Sequence, residues 1–207
     1  MNLEKLQVAQ QDFFLAFPGG FQHPKMVEMG KKHKMDKMIE FADESFSKLA
    51  FNQTQNVLDN WVKTVSRSSM VSMFEKPKFK DMINDLSAKE SEQLAAGLYE
   101  FLYGDQQQGF EQQLDILSHY KLAKWSLISI VPAYVKSQTE VFVKPTTAKG
   151  VIAHFDLPNL VYKAKPSWDF YHEYRRQILT MKDFVEPSLK PNTAAFCGFL
   201  MMSLPKP

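Results

Sequence analysis

Apolar residues recur along most of this chain at the spacing of helices rather than strands. Met35, Met38, Ile39, Ala42, Phe46 and Leu49 lie three and four apart, which aligns them on one face of a helix with about 3.6 residues per turn. Upstream, residues 3–16 carry Leu, Glu, Lys, Gln and Ala and stop at Pro18-Gly19-Gly20, a turn; Pro24 then suits the first position of a new helix. Val57, Leu58, Trp61 and Val65 predict a helix over 54–75, with Pro77 after its end. Phe79, Met82, Ile83 and Leu86 predict a short one over 78–86. Ser87 and Glu90 have the spacing of a capping box, opening a helix that holds Leu94, Leu98, Phe101 and Leu102 and closes at Gly104. Phe110, Leu114 and Leu117 continue the pattern, and 125–135 is apolar almost throughout, a buried helix ended or kinked at Pro132.

The pattern changes after residue 135. Residues 140–145, Glu-Val-Phe-Val-Lys-Pro, are β-branched, aromatic and bounded by proline, which predicts a strand around 140–144. Thr146 then caps a short helix through Phe155, residues 156–166 form a loop, and Ser167 caps a helix to about 184. Ala194 to Leu204 is an apolar closing element. The expected fold is mainly α: a single globular, bundle-like domain over 1–207. Its helical body covers about 1–135, and the more irregular C-terminal third, about 136–207, carries a few short strands.

Composition narrows the classes. With 44% hydrophobic and 23% charged residues, the 207-residue chain can bury a core without a disulfide or metal staple. Its 17 Phe and 11 Met are ordinary core material. A net charge of +2 gives no global pull toward nucleic acid, so any such binding needs a local cluster. The lone Cys197 among Ala195, Phe196, Phe199 and Leu200 reads as a small buried hydrophobe and fits a reducing compartment. Met1 to Leu6 lacks the basic and apolar regions of a signal peptide, and no apolar run is long enough to span a bilayer. A soluble, cytoplasmic protein without a membrane partner is expected.

Familiar catalytic patterns are missing. His23, His33, His119, His154 and His172 form no HExxH or paired-ligand spacing; Asp115 and His119 alone read as a surface pair. There is no G-x-S-x-G elbow, no GxxxxGK[ST] and no GxGxxG, and no cofactor is implied. The basic run Lys31-Lys32-His33-Lys34 spreads around a helix when projected at about 100° per residue, so it reads as a solvated helix end. Lys31 would fall on the core face unless the helix breaks near Gly30.

The C-terminal helix carries the strongest surface signal. Phe170, Tyr171, Tyr174, Ile178, Met181 and Val185 make its apolar face, leaving Trp168, His172, Arg175 and Leu179 on the other side with Arg176 and Lys182 flanking. Arginine offers a planar fork to phosphate or carboxylate, and tryptophan can stack a base. The plainer reading is that Trp168 and Leu179 meet another element of the protein and the arginines form its salt-bridging rim.

Ala123-Lys124-Trp125, Phe142-Val143-Lys144-Pro145-Thr146-Thr147 with Lys149, and Tyr162, Pro166, Trp168 and Tyr171 together resemble a pattern in bacterial proteins of unknown function: AKW, then FxKPxxxK, then PxWxxY. The resemblance spans roughly 123–171. It implies a bacterial or phage origin and brings no activity with it.

Three functions follow as expectations. The first is a non-enzymatic protein that binds an anionic partner such as nucleic acid through Lys144, Lys149, Trp168, His172, Arg175 and Arg176, with Lys and Arg on phosphates and Trp168 stacking. The second is an enzyme in which His172 is the acid or base and the arginines orient an anionic substrate. The third is a scaffold or regulatory subunit that buries Trp168 and Leu179 against a protein partner.

Overall fold

The computed structural model describes residues 1–205, and among these there are eleven α-helices and no strand. In order they are α1 (Leu3–Ala16), α2 (Pro24–Lys31), α3 (Met35–Ser45), α4 (Thr54–Arg67), α5 (Glu75–Asp85), α6 (Ala88–Tyr103), α7 (Gln106–His119), α8 (Trp125–Val135), α9 (Pro145–His154), α10 (Trp168–Lys182) and α11 (Thr193–Met202). None is long and apolar enough to cross a membrane.

Helix α8 is the spine. It is apolar nearly all round, and Trp125 through Tyr134 are buried, so it must be enclosed by its neighbours. Helices α3, α4, α6 and α7 supply that enclosure. Pro132 sits inside α8 and removes one backbone donor without ending the helix. Its two serines tie in more distant chain: Ser129 Oγ donates to the Trp125 carbonyl at 2.6 Å and accepts the Val143 amide at 3.0 Å, and Ser126 donates to Glu75 at 2.5 Å.

Helices α6 and α7 make the most extensive helix pair. The capping box at its start forms as expected: Ser87 Oγ accepts the Glu90 amide at 3.3 Å and the Glu90 carboxylate accepts the Ser87 amide at 2.9 Å. Gly97 and Gly109 let the two backbones touch, and the buried Gln113 amide donates to both glycine carbonyls, at 3.1 and 2.9 Å.

The chain ends meet. The Asn2 amide donates to the Phe155 carbonyl at 2.7 Å, Lys5 pairs with Asp156 at 2.9 Å, and the Phe13 ring lies edge-on to Phe199 of α11 at 5.3 Å. One continuous apolar cluster runs from Leu6 to Leu200.

The predicted strand at 140–144 is absent: 140–143 are buried without regular structure, and Lys144 is exposed. Side chains serve the segment's backbone instead of a ladder. The Val141 amide donates to Tyr171 Oη at 3.4 Å, the Val143 amide to Ser129 Oγ, and the Glu140 carbonyl accepts Thr193 Oγ1 at 2.5 Å. A strand needs a second extended segment beside it, and the C-terminal third offers none among the described residues.

Smaller departures have local causes. Helix α4 stops at Arg67, and Pro77 is the third residue of α5, where a missing amide costs little. Helix α3 ends before Leu49, which is 80% exposed, whereas Phe46 at the cap is fully buried. Lys144, not Thr146, caps α9, with Pro145 in its first turn. Gly104 closes α6 at φ −128°, outside the left-handed region. Lys182, expected to flank α10, is buried and donates to the Gln138 carbonyl at 2.9 Å.

Candidate anionic-ligand interface

The structure divides the six residues singled out from the sequence. On α10, Arg175 turns inward. Its Nη1 donates to Glu140 Oε1 at 2.5 Å and to Gln106 Oε1 at 3.0 Å, and its guanidinium packs 5.8 Å from the Trp168 ring and 5.7 Å from the Tyr171 ring. Tyr171 Oη donates to the other Glu140 oxygen at 2.7 Å, and Gln106 Nε2 to the first at 3.0 Å. Burial, then the Glu140 charge, push the Tyr171 phenol well above its usual range, so it stays a donor. This cluster is closed: an incoming anion would have to displace a buried carboxylate.

Arg176 is exposed but occupied. It donates from Nε and Nη2 to both Glu173 oxygens, at 2.8 and 2.7 Å. The Arg176 bonds outweigh partial burial and, with the Gln177 bond, hold the Glu173 carboxyl down at about 2. Trp168 is half-buried against Phe110 at 5.8 Å, Phe101 at 6.3 Å and Tyr171 at 6.1 Å. His172 is exposed and lies against the Trp168 ring at 5.5 Å. Lys149 is exposed, its ammonium 4.9 Å from the Tyr162 ring.

Lys144 enters a different company. Helix α2 ends at Lys31 and α3 begins at Met35, with Lys34 in the left-handed region at φ 47°. The basic run thus covers the solvated end of α2, at Lys31 and Lys32, and the turn that follows it, at His33 and Lys34. The turn is held by His33, whose Nδ1 is 2.8 Å from Ser69 Oγ in the loop after α4. Burial, then the positive charges of Lys32 and Lys144, push the His33 imidazole below its ordinary range. Lys32 and Lys144 are exposed, and no carboxylate forms an ion pair with Lys32, His33 or Lys144 among the described residues. Lys31, by contrast, is paired with Glu28 at 2.6 Å.

Projection of the basic run as one continuous helix hid this arrangement. Gly30 signalled a nearby helix end, although α2 runs through it to Lys31 before His33 leaves the helix. Ser69 carried no signal at all, because its role depends on a contact across 36 positions.

Chemically, the cluster can hold phosphate or carboxylate by charge. His33 and Ser69 resemble the start of a nucleophilic pair, but among the described residues no carboxylate hydrogen-bonds to the imidazole to orient it. No group of three or more His, Cys, Asp or Glu is placed to hold a metal among the described residues. The depression between α6 and α7 is open and lined by glutamines with Asp105, Glu111 and Asp115, which suits no anion. Comparison with protein families, with curated proteins and with solved structures finds no match.

Proposed function

We propose that this chain is a non-enzymatic binding protein that takes an anionic polymer, nucleic acid before others, on the surface of Lys32, His33 and Lys144. This reading is supported by the turn that His33 holds through Ser69, by the exposure of Lys32 and Lys144, whose charges both act on His33, and by the lack of an ion-paired carboxylate on any of the three among the described residues. Like charges held together cost stability unless something offsets them, and a row of phosphates does so while releasing its counterions. Lys149, further along α9, extends the same charge, and His172 on Trp168 is the part of the α10 face still open to a ligand. Arg175 and Arg176 are supporting residues in this reading, because each already holds a carboxylate.

The test is fluorescence anisotropy with a labelled oligonucleotide at low salt. Lys32→Glu with Lys144→Glu is expected to weaken binding by more than about tenfold, while Arg176→Gln leaves it within about twofold. Unchanged affinity in the charge-reversed double variant would reject the surface.

A further inference from the structure

We propose that Met73 and Phe74, with Lys76, Lys78 and Lys80 behind them on α5, dock this protein on an anionic lipid surface. The contact involves none of Lys32, His33 and Lys144, so the two surfaces are tested apart.

Met73 and Phe74 are 74% and 76% exposed, and among the described residues no other adjacent pair of large apolar side chains is left open to water. Their loop, between α4 and α5, is pinned rather than loose. At one end Ser68 Oγ and Tyr134 Oη are 2.9 Å apart, and at the other Glu75 accepts Ser126 Oγ at 2.5 Å. Between these points Val71 is buried, Ser72 Oγ accepts the Phe74 amide at 3.3 Å, and the Ser72 carbonyl accepts the Glu75 amide at 3.0 Å. A held loop that keeps two apolar side chains in water has little freedom left to lose on docking.

The charges that follow are sorted along α5. Phe74 is its N-cap, and Lys76, Lys78 and Lys80 come within about 9 Å of it along the axis, at about 1.5 Å per residue. Lys78, four residues on, lies on the same side as Phe74. None of the three lysines has an ion-pair partner among the described residues. Glu75, next to the ring, is turned to Ser126 instead. Asp81 and Asp85, both exposed, come only beyond about 10 Å from Phe74 along the same axis. The positive end of the helix dipole adds its sign at the Phe74 end. Helix α5 thus carries apolar side chains and positive charge at one end and negative charge at the other, which turns its first turns toward an anionic surface.

A bilayer with acidic headgroups offers both halves of this chemistry. Acyl chains take the methionine and phenylalanine side chains, and the headgroups take the ammonium groups. A stable protein partner covers about 800 Å² on each side, whereas the apolar exposure along the chain stops at these two residues, with Ser72 before them and Glu75 after. Nucleic acid could use the lysines and the Phe74 ring, but Met73 has no flat face to set against a base. None of the helices can cross a membrane, and a loop that rests on a lipid surface needs no spanning helix.

The experiment is co-sedimentation with vesicles of mixed phosphatidylcholine and phosphatidylserine, and with vesicles of phosphatidylcholine alone. Wild type should bind the mixed vesicles more than about tenfold tighter. Met73→Ser with Phe74→Ser should lower that binding at least about tenfold, and so should Lys76→Gln with Lys78→Gln and Lys80→Gln. Serine suits an N-cap, so the first variant should fold, as circular dichroism checks for each. Leu49→Ser, which removes a leucine that is 80% exposed elsewhere, should leave binding within about twofold. Absence of wild-type binding to the mixed vesicles, or equal binding to both kinds, overturns the inference. Loss in the lysine variant but not in the Met73 and Phe74 variant reduces the contact to charge alone and overturns it too. A comparable loss in Leu49→Ser, or one seen only in Lys32→Glu with Lys144→Glu, removes the contact from this loop and overturns it. Binding to an oligonucleotide that both loop variants lose, without vesicle binding, assigns the loop to nucleic acid and overturns it as well.

Discussion

Arg175 and Glu140 form an ion pair 2.5 Å long whose side chains are only 13% and 5% exposed, joining α10 to the buried segment that stands where a strand was predicted. Gln106 brings α7 into the same cluster, and Thr193 brings α11 through the Glu140 carbonyl. Removing one partner strands a buried charge. Arg175→Met is expected to cost about 3–5 kcal/mol in urea denaturation, and Glu140→Leu with Arg175→Met less than the two single losses summed. A loss below about 1 kcal/mol for Arg175→Met would show that the pair is not a structural tie.

Gly109 is a second tie of a different kind. A Cβ there would strike the backbone of Phe101 and the Gly97 carbonyl, and neither can move without parting α6 from α7. Gly109→Ala should cost about 1–3 kcal/mol or more by thermal denaturation. Gly30→Ala, where a Cβ meets nothing, should be neutral or slightly stabilising; similar losses at both positions would contradict the close approach.

Cys197 is partly exposed as a residue, yet its thiol is enclosed. Burial pushes it up to about 12, against the opposing pull of the Lys182 charge. At neutral pH it should react with thiol reagents at a small fraction of the rate seen in denaturant. Equal rates would mean the sulfur is open to solvent.

What was legible in the sequence was whatever depends on neighbours. The capping box of Ser87 and Glu90, the buried helix from Trp125, and the inward face of Phe170, Tyr171, Tyr174 and Ile178 are all set within a few residues. Residues 140–143 look like a strand because they are β-branched, aromatic and buried, and local pattern cannot say whether a partner strand exists. Arg175 could be read as a salt-bridging arginine, but its partner could not be named, because Glu140 lies 35 positions away. Two residues of the AKW, FxKPxxxK and PxWxxY pattern pack against other aromatic rings: the Trp125 ring is 5.0 Å from Phe170, and the Lys149 ammonium is 4.9 Å from the Tyr162 ring.

His33 makes folding pH-dependent. It is half-buried and feels the positive charges of Lys32 and Lys144, so its imidazole loses protons more readily folded than unfolded. The unfolded chain then binds the extra proton. This contribution to stability is whole above about pH 6.5 and is lost as pH falls through the lower folded value. His33→Gln should therefore lose less stability than wild type on acidification below about pH 6.5, read by urea melts. Parallel acid losses in the two proteins would contradict the placement. A bound phosphate reverses the balance by favouring the charged imidazole, so oligonucleotide binding should strengthen over the same pH fall.

The most direct measurement of the proposed surface is the salt dependence of binding. Each phosphate contact on a single strand contributes about −0.7 to the slope of log affinity against log salt. Lys32→Gln with Lys144→Gln should make the wild-type slope shallower by about 1.4, while Arg175→Met or Arg176→Gln, whose charges are already paired, should leave it unchanged wherever the variant folds. A wild-type slope near zero, or one that changes with the arginines and not with Lys32 and Lys144, would contradict the account.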